Sequence, residues 1–118
     1  MLLENKHILA LEDEPVVAFL LEDMLLDAGA ASVSVASRVC EAEAIIAAEG
    51  IDAAILDVNV HGELSYPVAD QLTAANLPFV FASGYGDREH PPRFASVPTL
   101  TKPYSAADLQ RIFGQLRP

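Results

Sequence analysis

Strand-like and helix-like segments alternate five times along this chain, and that alternation constrains the fold more than any other feature. The strand candidates are His7–Leu11, Ser32–Ala36, Ala53–Val58, Phe79–Ala82 and Thr99–Thr101. The first, third and fourth are almost wholly apolar, as strands covered on both faces are, and the second alternates around β-branched valines. Strands of this kind separated by helices imply a parallel sheet with right-handed crossovers and helices on both faces.

The intervening segments carry helix signals. Pro15 suits the first turn of a helix running to about Asp27, with Glu12-Asp13-Glu14 at the end the helix dipole favours and Gly29 as its stop. Val16, Leu20, Met24 and either Leu25 or Phe19 are expected as its apolar face. Ser37 is placed to cap a helix from Val39 to about Glu49, with Val39, Ala42, Ile45 and Ile46 inward and Gly50 at its end. Cys40 is expected there as a small buried residue. Ser65-Tyr66-Pro67 leads into a helix through about Ala75. His90-Pro91-Pro92 argues for only a short or irregular helix over Arg88–Arg93, after a turn containing Gly84 and Gly86. The last helix runs from about Ala106 to Leu116, capped by Ser105, with Leu109, Ile112, Phe113 and Leu116 inward.

Five strand–helix units fit a flavodoxin-like (βα)5 doubly wound α/β sheet of order 2-1-3-4-5, a single domain over residues 1–118. In that order strands one and three flank the switch point, where such sheets hold their ligands. Their C-terminal ends carry Glu12-Asp13 and Asp57, and strands four and five end in Ser83 and Lys102. Three carboxylates at one edge repel one another, and each raises the others' pKa unless a cation is present. Mg²⁺ takes oxygen ligands and commonly uses one or two carboxylates with a phosphoryl oxygen. Lys102 can neutralise a phosphoryl group and Ser83 can hydrogen-bond it. Phosphoryl transfer depends mainly on positioning and charge neutralisation, and a carboxylate can be its nucleophile. The set is complete for moving a phosphoryl group onto Asp57.

Composition removes competing classes. The net charge is −10, from 17 acids against 7 Lys and Arg, which argues against direct nucleic-acid binding. No apolar run is long enough to span a membrane and no secretory signal is visible. One cysteine cannot form an internal disulfide, so a reducing, cytoplasmic setting is expected. His7, His61 and His90 have no ligand spacing; strand-start, loop and surface positions are expected for them.

The order Glu12-Asp13, Asp57, Ser83, Lys102-Pro103 resembles the receiver domain of two-component response regulators over the whole chain. The resemblance implies that Asp57 accepts a phosphoryl group from a histidine kinase. It implies Mg²⁺ binding by Asp13, Asp57 and the Asn59 carbonyl, with Glu12 acting through water. It also implies phosphoryl contacts from Ser83 and Lys102, and a cis Lys102–Pro103 bond. Asn59 and Tyr85 fall where this family tunes phosphoryl lifetime.

Many receivers carry Tyr or Phe three residues before the lysine, whereas this chain has Thr99. Pro78 to Gly86 resembles the atypical receivers nicknamed FATGUY, which partner kinases of the HWE and HisKA_2 types. In such a protein the loop holding Gly84, Tyr85 and Gly86, with a poorly formed fourth helix, is the expected switching element, and phosphorylation would order that segment rather than flip one ring. A downstream protein partner is expected to dock on the fourth helix, fifth strand and fifth helix, with the receiver a monomer or a weak phosphorylation-dependent dimer. The chain reaches Pro118 directly after its last helix, as a stand-alone receiver or a piece of a longer protein would. Two other classes compete. An aspartate-nucleophile phosphatase would resemble an Asp-x-Asp motif after the first strand, whereas Asp57-Val58-Asn59 follows the third and lacks the second acid. A phosphorylation-independent scaffold would not need the full set of acceptor, acids, hydroxyl and lysine.

Overall fold

The computed structural model describes residues 3–84 and 90–116. Five parallel strands form one sheet: β1 (His7–Leu11), β2 (Ser32–Ala36), β3 (Ala53–Asp57), β6 (Phe79–Ser83) and β7 (Thr99–Thr101), in the order β2-β1-β3-β6-β7. This is the expected 2-1-3-4-5 order. The labels β4 (Asn59–Val60) and β5 (Glu63–Leu64) belong to a small antiparallel hairpin absent from the sequence-based expectation. Its turn residues His61 and Gly62 both have positive φ, 52° and 81°, which glycine tolerates readily and histidine less so.

Successive side chains on each strand face opposite ways, so the sheet feeds two cores. Leu9, Leu11, Leu56, Phe79 and Phe81 pack on one face with Val39 and Ala42 of α2 (Val39–Ala48) and Val68, Ala69 and Leu72 of α3 (Tyr66–Ala74). Ile8, Ala10, Ile55, Val80 and Leu100 pack on the other with Leu21 and Leu25 of α1 (Pro15–Asp27) and Leu109, Ile112 and Phe113 of α4 (Ala106–Gly114). The last helix is locked at its start by a capping box: Ser105 Oγ accepts from the Asp108 amide and the Asp108 carboxylate accepts from the Ser105 amide.

Three local expectations need correction. The buried face of α1 is Ala18, Leu21 and Leu25, while Val16, Phe19 and Leu20 are 69%, 66% and 53% exposed. Val16 to Leu21 is apolar at every position, so spacing alone could not choose the inward register. Ser37 does not accept from the start of α2; its amide and hydroxyl both donate to Glu41. Cys40 lies on α2 but is exposed. The short, irregular helix expected before β7 is a single 3-10 turn over Pro92–Phe94, with residues 88 and 89 outside the described residues. Among the described residues there is thus no fourth α-helix between β6 and β7 for a partner to dock on.

No helix among the described residues is long and apolar enough to cross a membrane.

Candidate functional site

The strand register brings the polar strand ends to one edge. Leu11 pairs with Leu56, Asp57 with Ala82, and Ser83 with Thr101, so Glu12, Asp57, Ser83 and Lys102 arrive at the same level. Glu12 is held there because its amide donates to the Ala36 carbonyl, and Lys102 because its amide donates to Ser83. The Lys102–Pro103 bond is cis, as expected.

Lys102 Nζ lies 2.7 Å from Glu12 Oε1 and 3.1 Å from Asp57 Oδ2, so one ammonium serves two carboxylates. Glu12 is 2% exposed and Asp57 9%, both far below what unpaired acids tolerate. Burial, reinforced by the Glu12 charge and only partly offset by Lys102, pushes the Asp57 carboxyl up to about 6. Burial would depress the Lys102 amine, but its hydrogen bond to Glu12 and the Asp57 charge outweigh that and raise it. Asp13 sits at the rim. Burial disfavours its charge, yet the His61 amide, donating to Asp13 Oδ2 at 3.0 Å, and a contact with Glu12 hold its carboxyl below the usual range.

Glu12, Asp13 and Asp57 each offer an oxygen within 4.8 Å of the other two, a set that could hold a metal ion. Three acids with one lysine leave the cluster short of positive charge, and the all-oxygen donors suit a hard divalent cation. The residues therefore fit Mg²⁺. Asn59 is exposed on the hairpin, where its Oδ1 accepts from the Gly62 amide and helps shape the turn beside Asp13. Ser83 is buried at the end of β6 and Gly84 follows in an exposed turn. Tyr85 and Gly86 lie outside the described residues. Thr99 sits on β7.

His90 also departs from its expected position. It is half-buried rather than on the surface. Its ring stacks on Phe81 with centroids 4.3 Å apart, and its nitrogens meet Tyr66 Oη at 3.0 Å and Thr99 Oγ1 at 2.9 Å. Its two hydroxyl partners are 24 and 9 residues away, so no local spacing announced them.

A doubly wound sheet with an acidic, lysine-bridged cluster at its switch point defines a receiver-type α/β module. Comparison with known proteins narrows this. No family model and no curated protein sequence matches the chain. Among solved structures, SdrG from Sphingomonas melonis Fr1 is 42% identical over 92% of this chain and 93% of its own, with a TM-score of 0.78. The BeF3-activated conformation of SdrG, from Pseudomonas melonis Fr1, is 39% identical over 94% and 95%, with a TM-score of 0.80. The fold is shared with a CheY-like response regulator receiver domain from Methylobacillus flagellatus, at 22% identity over 92% and 96% and a TM-score of 0.80. It is also shared with TrrA from Thermotoga maritima in complex with Mg²⁺-BeF, at 20% identity over 93% and 97% and a TM-score of 0.81. The chain belongs to the response regulator receiver family.

Proposed function

We propose that this protein is a phosphoacceptor signalling module in which Asp57 receives a phosphoryl group from a histidine kinase. The observation that carries the reading is the lysine bridge: a buried carboxylate at the switch point, paired to Lys102 and flanked by two further acids. In the transfer, an Asp57 oxygen forms a bond to phosphorus as the donor's N–P bond breaks, and the imidazole leaves with the electron pair. Lys102 then turns its charge to the phosphoryl oxygens, and the Ser83 hydroxyl hydrogen-bonds one of them. Glu12, Asp13, Asp57 and the Asn59 carbonyl would hold Mg²⁺, which supplies positive charge for the developing anion. The Mg²⁺-BeF complex of TrrA and the BeF3-activated SdrG support this assignment, because fluoroberyllate is tetrahedral and anionic like a phosphoryl group.

The kinase is proposed to dock on α1. Val16, Phe19 and Leu20 are exposed there, and a cavity of about 400 Å³ lined by Val17, Leu20, Met24, Lys102, Pro103 and Tyr104 joins that helix to the lysine segment. An exposed apolar face adjoining the acceptor fits a donor protein that must approach Asp57 closely. Its HWE or HisKA_2 type and a downstream protein partner follow from the sequence resemblance.

The test is incubation with a small phosphodonor and Mg²⁺, read by intact mass. One added phosphoryl group is expected, stable to acid and labile to hydroxylamine, and absent from Asp57→Asn. Equal phosphorylation of wild type and variant refutes the acceptor.

A further inference from the structure

The contacts of His90 lead toward three of the four chemical strand ends, those of β3, β6 and β7. Tyr66 opens α3 directly after Ser65, whose amide donates to the Val58 carbonyl, one residue from Asp57. Phe81 lies two residues before Ser83 on β6, and residues at that spacing share a face of the sheet. Thr99 pairs with Phe81 in the strand register and stands three residues before Lys102. One imidazole therefore touches α3, whose first turn is tied to the residue after Asp57, and the two strands that end in Ser83 and lead to Lys102.

The contacts are specific in chemistry as well as position. A neutral imidazole carries one donor and one acceptor, and each hydroxyl can serve as either. Both ring nitrogens are thus satisfied whichever tautomer is present, with the hydroxyls turning to suit. The ring packs on Phe81 and meets Tyr66 edge-on at 5.8 Å, so its plane is fixed from two sides. From His90 the chain continues into the Pro92–Phe94 turn, whose Phe94 is core and whose Arg93 pairs with Asp70 of α3 at 2.8 Å.

We infer that His90 is a positioning residue that couples α3 to β7 through its two hydroxyl partners. A displacement of Ser83 and Lys102 toward a phosphoryl group on Asp57 is thereby passed into the segment from His90 to Phe94. The second half of this inference rests on the phosphoacceptor reading, whereas the coupling itself does not.

The first measurement is a double-mutant cycle on the equilibrium unfolding of the full chain. Tyr66→Phe and Thr99→Val each remove one hydroxyl and keep the packing volume. Their effects on the unfolding constant are expected to depart from a simple product by about threefold or more, as for residues in one hydrogen-bond network. In a His90→Phe background, which keeps an aromatic ring for Phe81, the effects should multiply. Independent effects with His90 in place, or an unchanged departure with Phe, overturn the inference.

The second measurement uses acetyl phosphate and Mg²⁺, with stoichiometry by intact mass and amide exchange over 66–74 and 90–101. Phosphorylated His90→Phe is expected to match wild type in stoichiometry and to lose at least half of the phosphorylation-dependent exchange change in one of the two segments. His90→Gln, with a planar donor and acceptor, should restore much of it. A normal exchange response in phosphorylated His90→Phe overturns the inference. Absence of phosphorylation in wild type instead overturns the phosphoacceptor reading, and the cycle still decides the coupling.

Discussion

Replacing Asp57 by Asn should make the protein more stable at neutral pH. The carboxyl is raised from 3.8 to about 6 because burial and the Glu12 charge outweigh Lys102. Unfolding returns it to an ordinary value. Between those two pH values the folded state binds more protons, so stability falls as pH rises, and the full penalty is present above about pH 6. At 1.36 kcal/mol per pH unit the penalty is about 3 kcal/mol. The Asp57 side chain keeps 12% of its surface in solvent, and screening by the water that reaches it leaves roughly half of that, about 1.5 kcal/mol. Asn never ionises, and its carbonyl oxygen can still accept from Lys102. Urea denaturation in chelator should therefore show Asp57→Asn more stable by about 1.5 kcal/mol at pH 7.5, with the gap closing by about pH 4. Carboxylates away from the cluster keep the same surroundings in both proteins and largely cancel in the difference. Adding Mg²⁺ should narrow the gap, since a ligand of the folded state favours the protein that binds it better. A variant no more stable than wild type at pH 7.5, or a gap independent of pH, would refute the reasoning.

Two further outcomes follow from the site. Asp13→Ala removes one of three clustered oxygens and should weaken Mg²⁺ binding by at least about tenfold in a titration; an unchanged midpoint would remove Asp13 from the ligand set. Phe19→Glu should slow transfer from the cognate kinase by about tenfold or more while leaving phosphorylation by acetyl phosphate intact. Equal loss with both donors would place the effect in the site rather than on a docking face.

Strand positions were legible because a parallel sheet buries both faces, so β1, β3 and β6 read as unbroken apolar runs. The cluster was legible because its residues follow those strands directly, and parallel register converts sequence position into a shared level. Orientation was harder to read. On α1 the apolar residues Val16 to Leu21 occupy all sides of the helix, and the three left outward carry no local mark of that. The β4–β5 hairpin is only two residues per strand, too short for a periodic signal. His90 depended on partners in α3 and β7, and such distant pairings leave no trace in local composition.

In the proposed reading, Lys102 would link the chemistry to its transmission. Its ammonium is committed to Glu12 and Asp57 together, and burial of those acids makes either unpaired carboxylate costly. A phosphoryl group on Asp57 would compete for the same amine, so Lys102 cannot move toward it without loosening its hold on Glu12. A cation held among Glu12, Asp13 and Asp57 would offset that loss, and in the proposed reading this would tie cation binding, phosphorylation and the position of the β7 end into one event. On β7 the residue that would feel the movement is Thr99, whose short side chain leaves its hydroxyl to His90 rather than filling the space above Phe81 itself. The aromatic ring resting on that strand pair thus arrives from a separate stretch of chain, held by hydrogen bonds of about 3 Å, 3.0 Å to Tyr66 and 2.9 Å to Thr99. Such a ring can shift with its partners without a change of side-chain rotamer on β7. The switching motion expected here is accordingly a displacement of the His90–Phe94 segment rather than the flip of a strand aromatic.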